Sequence, residues 1–323
     1  MIFEKQIVET YKKMMYTRCD DTETVFYFSA EDFEGLKKES YPFKSSLGHT
    51  LMGYIYSYDA NIEGRLVVFD HGFGGGHRAY MKEIEQLCRH GYVVFAYDHT
   101  GCMESGGESP NGLAQSLCDL NDCISTIKND EKFSGVKISV IGHSWGAFST
   151  LNIASLHPEI THIVALCGFV SVEEMIKTFF SGLLKGYRRA VLELERTTNP
   201  YFSGFNAVKS LKDSDVKALL IYSKNDAMCK RVHFDILQKE LGNKENVSLF
   251  LLDNKDHNPN YTDEALKLLG EFTKARAELS KKKELSEEEK RSFKGSFDWD
   301  KMTSQDEDVW DAIFEHLASM RSM

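Results

Sequence analysis

Five short apolar runs, Arg65–Asp70, Tyr92–Tyr97, Lys137–Ile141, His162–Leu166 and Ala218–Tyr222, recur along the chain with amphipathic stretches between them. Each run is nearly continuous in apolar character, which is how a strand reads when both of its faces are covered. The stretches between and after them, including Tyr80–Gly91, Gly112–Asp130, Ser144–His157 and Lys230–Leu241, carry helical patterning. This alternation constrains the chain to an α/β class: a mostly parallel central sheet with right-handed crossovers, flanked by helices. Val247–Leu252 adds a further strand. Two earlier runs, Thr24–Ser29 and Thr50–Tyr58, precede the alternation and are expected to pair antiparallel at one edge.

Two segments interrupt the rhythm. About fifty residues separate Leu166 from Ala218, far more than one crossover needs, and Ser171 to Arg196 looks helical. That stretch reads as a small helical cap insertion. The second is KKKELSEEEK, Lys281–Lys290, a charge run suited to a solvated helix or hinge, ahead of an amphipathic stretch at Gln305–Met320. The expected organisation is a first core part with an N-terminal extension (1–167), a cap (168–214), a second core part (215–279), and a charged linker with a C-terminal helix (280–323).

Composition removes several function classes. A net charge of -10 opposes nucleic-acid binding, which needs clustered cations against phosphate. Seven cysteines, an odd number without regular spacing, suggest neither a disulfide framework nor a zinc site. Cys118 and Cys123 are too far apart for a CxxC pair. Reduced thiols fit a cytoplasmic protein. The N-terminal stretch lacks the apolar core of a signal peptide, and no stretch reaches the ~18 apolar residues of a membrane span. No metal and no cofactor is expected.

The sharpest local signal is GHSWG, Gly142 to Gly146, with the strand KISVI immediately before it and a helix-like stretch immediately after. A strand turning abruptly into a helix around G-x-S-x-G lifts the serine hydroxyl clear of the backbone, and its glycines fit where side chains cannot. Ser144 is the candidate nucleophile. A hydroxyl is too weak an acid to attack unaided, so a base and an orienting carboxylate must follow, in the order Ser, Asp or Glu, His. Asp226 follows the strand ALLIYS, and His257 follows NVSLFLL. Asp226 could also cap the next helix, and His257 could be an ordinary loop residue. Asp253 and Asp256 are rival carboxylates beside the histidine. The loop HGFGGGH, His71 to His77, follows RLVVFD and lets backbone approach a substrate closely. Two backbone N–H groups must meet a developing oxyanion, and Phe73 and Trp145 are the candidates. The loop could instead cradle phosphate, but it lacks both the third glycine of G-x-G-x-x-G and a Walker lysine.

Taken together, HGFGG, GHSWG, the Asp226 position and DHNPNYT resemble the α/β-hydrolase superfamily, within it the serine aminopeptidase-like or monoacylglycerol-lipase-like bacterial group. The resemblance spans Phe43 to Leu269. It implies the α/β-hydrolase fold, with Ser144, Asp226 and His257 as a triad and Phe73 and Trp145 as oxyanion donors. The segment Tyr97–Gly107 is similar to a D-x-x-G-x-G-x-S loop of such proteins, with Asp98, Gly101 and Ser105 matching and Met103 in place of the second glycine.

The reaction so implied is hydrolysis of a carboxylic ester through an acyl-enzyme, on a small-molecule acyl substrate. Apolar residues of the insertion, among them Met175, Phe179 and Phe180, either line a substrate pocket or only pack the cap onto the sheet. Dehalogenases and epoxide hydrolases use Asp at the elbow, which Ser144 opposes. An aminopeptidase, amidase or thioesterase on the same triad, and a catalytically silent binding protein, remain alternatives. An aminopeptidase would need an acidic anchor such as Glu173 or Glu174.

Overall fold

In the computed structural model, which describes residues 3–20, 23–58, 64–282 and 284–319, each of the five continuous apolar runs forms a strand of one eight-stranded sheet. The strands are β1 (Lys37–Ser40), β2 (Gly53–Ser57), β3 (Arg65–Asp70), β4 (Val93–Tyr97), β5 (Lys137–His143), β6 (His162–Leu166), β7 (Lys217–Ser223) and β8 (Val247–Leu252). Their spatial order is β1-β2-β4-β3-β5-β6-β7-β8. From β4 to β8 every neighbouring pair is parallel, while β1 and β2 join antiparallel at one edge.

The helices are α1 (Glu4–Met15), α2 (Met81–Arg89), α3 (Gln115–Asn129), α4 (Trp145–Ile153), α5 (Val172–Phe179), α6 (Arg188–Thr198), α7 (Ala207–Lys212), α8 (Val232–Leu241), α9 (Asp263–Leu279), α10 (Glu287–Gly295), α11 (Trp299–Met302) and α12 (Glu307–Ala318). Successive strand residues point to opposite faces, so the apolar runs feed two cores. Leu66, Val68, Val140 and Ile163 pack with α3, α4 and α8 on one face. Val67, Phe69, Ile141 and Val164 pack with α2 and α12 on the other. Full burial of one such side chain contributes about 1.5–3 kcal/mol.

The edge differs from the sequence expectation. Thr24–Ser29 is not a strand: Phe26 packs on Phe28 and Trp299, and Arg78 donates to the carbonyls of Tyr27 and Phe28. Side-chain packing and an arginine, rather than a ladder, satisfy this aromatic run. The edge strand is instead Lys37–Ser40, whose sequence KKES carries no apolar residue and is wholly exposed. Thr50–Tyr58 is interrupted at Met52, where the N–H donates to Ser105 Oγ (2.8 Å) and the carbonyl accepts from Asp98 N–H (3.0 Å). Leu51 and Thr50 pair with Phe43 and Lys44 in a separate small ribbon.

The charge run ends in α10, which opens on a Ser286–Glu289 capping box. Beyond it α12 lays Val309, Trp310, Ile313 and Leu317 onto the sheet. The end of the amphipathic stretch, at Met320, lies outside the described residues. In the insertion, α6 is pinned by Glu195, a fully buried carboxylate. It accepts from Tyr11 Oη (2.7 Å), Tyr16 Oη (3.2 Å) and Leu113 N–H (2.8 Å).

Candidate active site

β5 ends at His143 and α4 begins at Trp145, so a single residue makes the turn. Ser144 holds φ 55° and ψ −110°, a conformation that a side chain with a Cβ resists. Crowding accounts for the flanking glycines. A Cβ on Gly142 would lie 2.3 Å from Thr150 Oγ1, and one on Gly146 would lie 2.1 Å from the Asp70 carbonyl oxygen.

At the same rim, the loops after β7 and β8 bring Asp226 and His257 to the serine. His257 Nε2 stands 2.8 Å from Ser144 Oγ, and His257 Nδ1 stands 2.8 Å from Asp226 Oδ2. A carboxylate only accepts, so Nδ1 carries the proton and Nε2 is free to accept from the serine hydroxyl. The other oxygen of Asp226 accepts from the N–H groups of Met228 (2.8 Å) and Cys229 (2.9 Å). It stabilises that turn and does not cap α8. Burial alone would push the Asp226 carboxyl up, but the bond from His257, its charge and the Met228 N–H hold it below the ordinary range. Cys167 Sγ also approaches, giving a Cys167–Asp226–His257 group of donor atoms within 4.8 Å. Within it Asp226 and His257 already satisfy one another.

A second histidine, His143, braces the first. Its Nε2 donates to the His257 carbonyl (2.7 Å), which fixes the tautomer, so its Nδ1 accepts from the Tyr80 hydroxyl (2.8 Å). Tyr80 Oη in turn accepts from Gly72 N–H (3.0 Å). Burial, with the nearby His257, lowers the His143 pKa to about 3 and keeps the ring neutral as this chain of bonds requires. The chain runs from the glycine loop through the elbow to the loop of His257.

The glycine loop is anchored at its far end. His77 N–H and Nδ1 both meet Asp98 Oδ1, at 2.8 and 2.7 Å. Against the effect of burial, His77 holds the Asp98 carboxyl down at about 2. Met103, which replaces a glycine in the loop after β4, adopts φ 45° and so takes the glycine-like conformation. The Phe73 ring packs edge-on against Trp145 with centroids 5.2 Å apart. Among the described residues the backbone N–H groups of Phe73 and Trp145 make no hydrogen bond.

Ser144 and His257 open into a cavity of about 350 Å³. Its walls correct the expectation for the insertion. Met175 and Phe180 are buried in the main core, Phe179 packs against that core, and Phe180 meets Tyr11 with the rings tilted at 57°; none of the three lines the cavity. Glu173 and Glu174 are ion-paired on the surface with Lys177. The walls come from the two ends of the chain: Phe26 and Phe28 before the sheet, and Leu269, Phe272, Trp299 and Met302 after it. Aromatic clustering at Val25–Phe28 and Ser296–Trp299 was the available signal.

The fold and this rim define the class. A family model described as the alpha/beta hydrolase fold matches residues 65–305, and the chain belongs to that family. YqkD of Bacillus subtilis (strain 168), an uncharacterized protein, is 24% identical over 254 residues, covering 72% of this chain and 77% of YqkD. Among solved structures, the Pyrococcus furiosus esterase Pf2001 superposes with a TM-score of 0.59 at 20% identity, covering 81% of this chain and 98% of that one. An acetyl xylan esterase from Paenibacillus sp. R4 gives 0.56 at 16%, covering 85% and 93%. No helix among the described residues is long and apolar enough to cross a membrane.

Proposed function

We propose that the protein is a serine hydrolase that cleaves a carboxylic ester, with Ser144 as nucleophile, His257 as base and Asp226 as its orienting carboxylate. The observation that carries this is the unbroken Asp226–His257–Ser144 hydrogen-bond chain, 2.8 Å at both links. His257 takes the Ser144 proton as Oγ attacks the carbonyl carbon, and Asp226 stabilises the imidazolium that results. The oxyanion meets the N–H groups of Phe73 and Trp145, each such donor being worth ~10²–10³ in rate. Collapse of the tetrahedral intermediate expels the alcohol, which takes the proton from His257. Water, deprotonated by the same imidazole, then releases the acid.

An ester is favoured over an aminoacyl substrate because, among the described residues, no carboxylate lines the cavity to hold a free ammonium group. The seven free thiols suit a reducing compartment, and we assign the protein to the cytoplasm. Ser144→Ala is expected to lower kcat/KM for p-nitrophenyl acetate by at least about 10⁴-fold with an unchanged circular-dichroism spectrum. Undiminished turnover would remove the assignment.

A further inference from the structure

The charged side chains that line the cavity at Ser144 are cations, in a protein whose net charge is negative. The chain bears a net charge of -10, yet among the described residues no Asp or Glu lines the cavity while Arg78 and Arg276 do. Arg78 sits just past the glycine loop and is half-buried. Its Nε and Nη2 donate to the carbonyls of Phe28 (3.4 Å) and Tyr27 (3.0 Å), which satisfies those N–H groups without neutralising the charge. Among the described residues no carboxylate pairs with it, and Nη1 is left without a partner. Arg276 enters from α9 with its guanidinium 6.0 Å from the Phe272 ring centroid. Among the described carboxylates only the exposed Glu31 acts on the Arg78 charge, and from a distance; a partly desolvated guanidinium with no carboxylate in contact keeps an edge that suits an anionic oxygen.

Resting on the ester-hydrolase reading above, we infer that the preferred substrate is an ester carrying a fixed negative charge, bound by Arg78, with an apolar or aromatic body against Phe28, Phe272 and Trp299. A carboxylate and a phosphate share this chemistry. The anion takes no part in bond making; it fixes the ester carbonyl at Ser144 and raises kcat/KM by binding.

Matched pairs test this: monoethyl adipate against diethyl adipate for a carboxylate, and 1-butyryl-glycerol 3-phosphate against monobutyrin for a phosphate. The expected result is a kcat/KM ratio, anionic over neutral, of at least about tenfold in one pair, shrinking at high salt. Arg78→Gln lowers that ratio about tenfold, whereas Arg78→Lys, which keeps the charge but loses the paired carbonyl contacts, retains most of it. A wild-type ratio of one or below in both pairs overturns the inference and leaves the hydrolase reading standing. So does a loss of the ratio that is equal in the Gln and Lys variants. No turnover of any of the four esters would instead remove the hydrolase reading itself.

Discussion

The rim of the sheet and the walls of the cavity are built on different terms. At the rim, Ser144, Asp226 and His257 each follow directly from a parallel strand, so their positions are set by β5, β7 and β8 and by hydrogen bonds such as His143 to the His257 carbonyl. The walls are assembled from segments at opposite ends of the chain, Val25–Phe28 and α9 to α11, which meet through aromatic contacts such as Phe26 on Trp299. On the proposed function, the rim fixes where a bond is broken, and the walls decide what is presented to it. Chemistry and specificity should therefore respond separately to substitution.

Acid should destabilise the fold through its buried neutral histidines. His71 and His143 are both held neutral at about 3 by burial, against 6.5 in an unfolded chain. A lowered histidine pKa means that the unfolded state binds the proton first. Stability falls as pH drops below 6.5, by about 1.4 kcal/mol per histidine per unit until about pH 3. Glu83, pushed up to about 7 by burial, has the opposite sign and offsets one of them between pH 7 and 4.5. Denaturant unfolding at pH 7 and pH 5 should show the net loss; equal stabilities would contradict the neutral-histidine description.

Met175→Ala separates the insertion from the cavity. It should cost about 2–4 kcal/mol of stability through the void left in the core, while kcat/KM per folded molecule stays within about twofold. A large change in KM would return the insertion to the binding site.

Tyr80→Phe tests the brace. Losing the hydroxyl leaves Gly72 N–H and His143 Nδ1 without their partner, and kcat should fall about tenfold with KM little altered, ~1.4 kcal/mol in the transition state. A change confined to KM would make Tyr80 only a wall residue. Trp299→Ala should do the reverse, raising KM about fivefold with kcat nearly constant, in steady-state kinetics on a longer-chain ester.

The same division explains what could be read in the sequence. GHSWG, Asp226 and His257 are legible because strand ends are marked by apolar runs, and the turn at Ser144 demands glycines where Cβ atoms would clash. The brace was not legible: His143 is visible inside the elbow, but its partner Tyr80 acts from 63 residues away. The walls were not legible for a physical reason. Met175, Phe179 and Phe180 have the apolar character of a pocket lining, and only the packing of α5 against the core distinguishes burial from exposure to a ligand. Val25–Phe28 has strand-like composition but finds its hydrogen bonds in Arg78 instead of a neighbouring strand. Lys37–Ser40 is a strand by virtue of β2 alone, since nothing in KKES announces it.

The most direct measurement is intact-protein and peptide mass spectrometry after treatment with a fluorophosphonate, which reacts with a serine only when a neighbouring base activates it. A single stoichiometric adduct on Ser144, lost in His257→Ala, is the predicted result. An unlabelled protein, or an adduct carried on some other residue, would contradict the account at its centre.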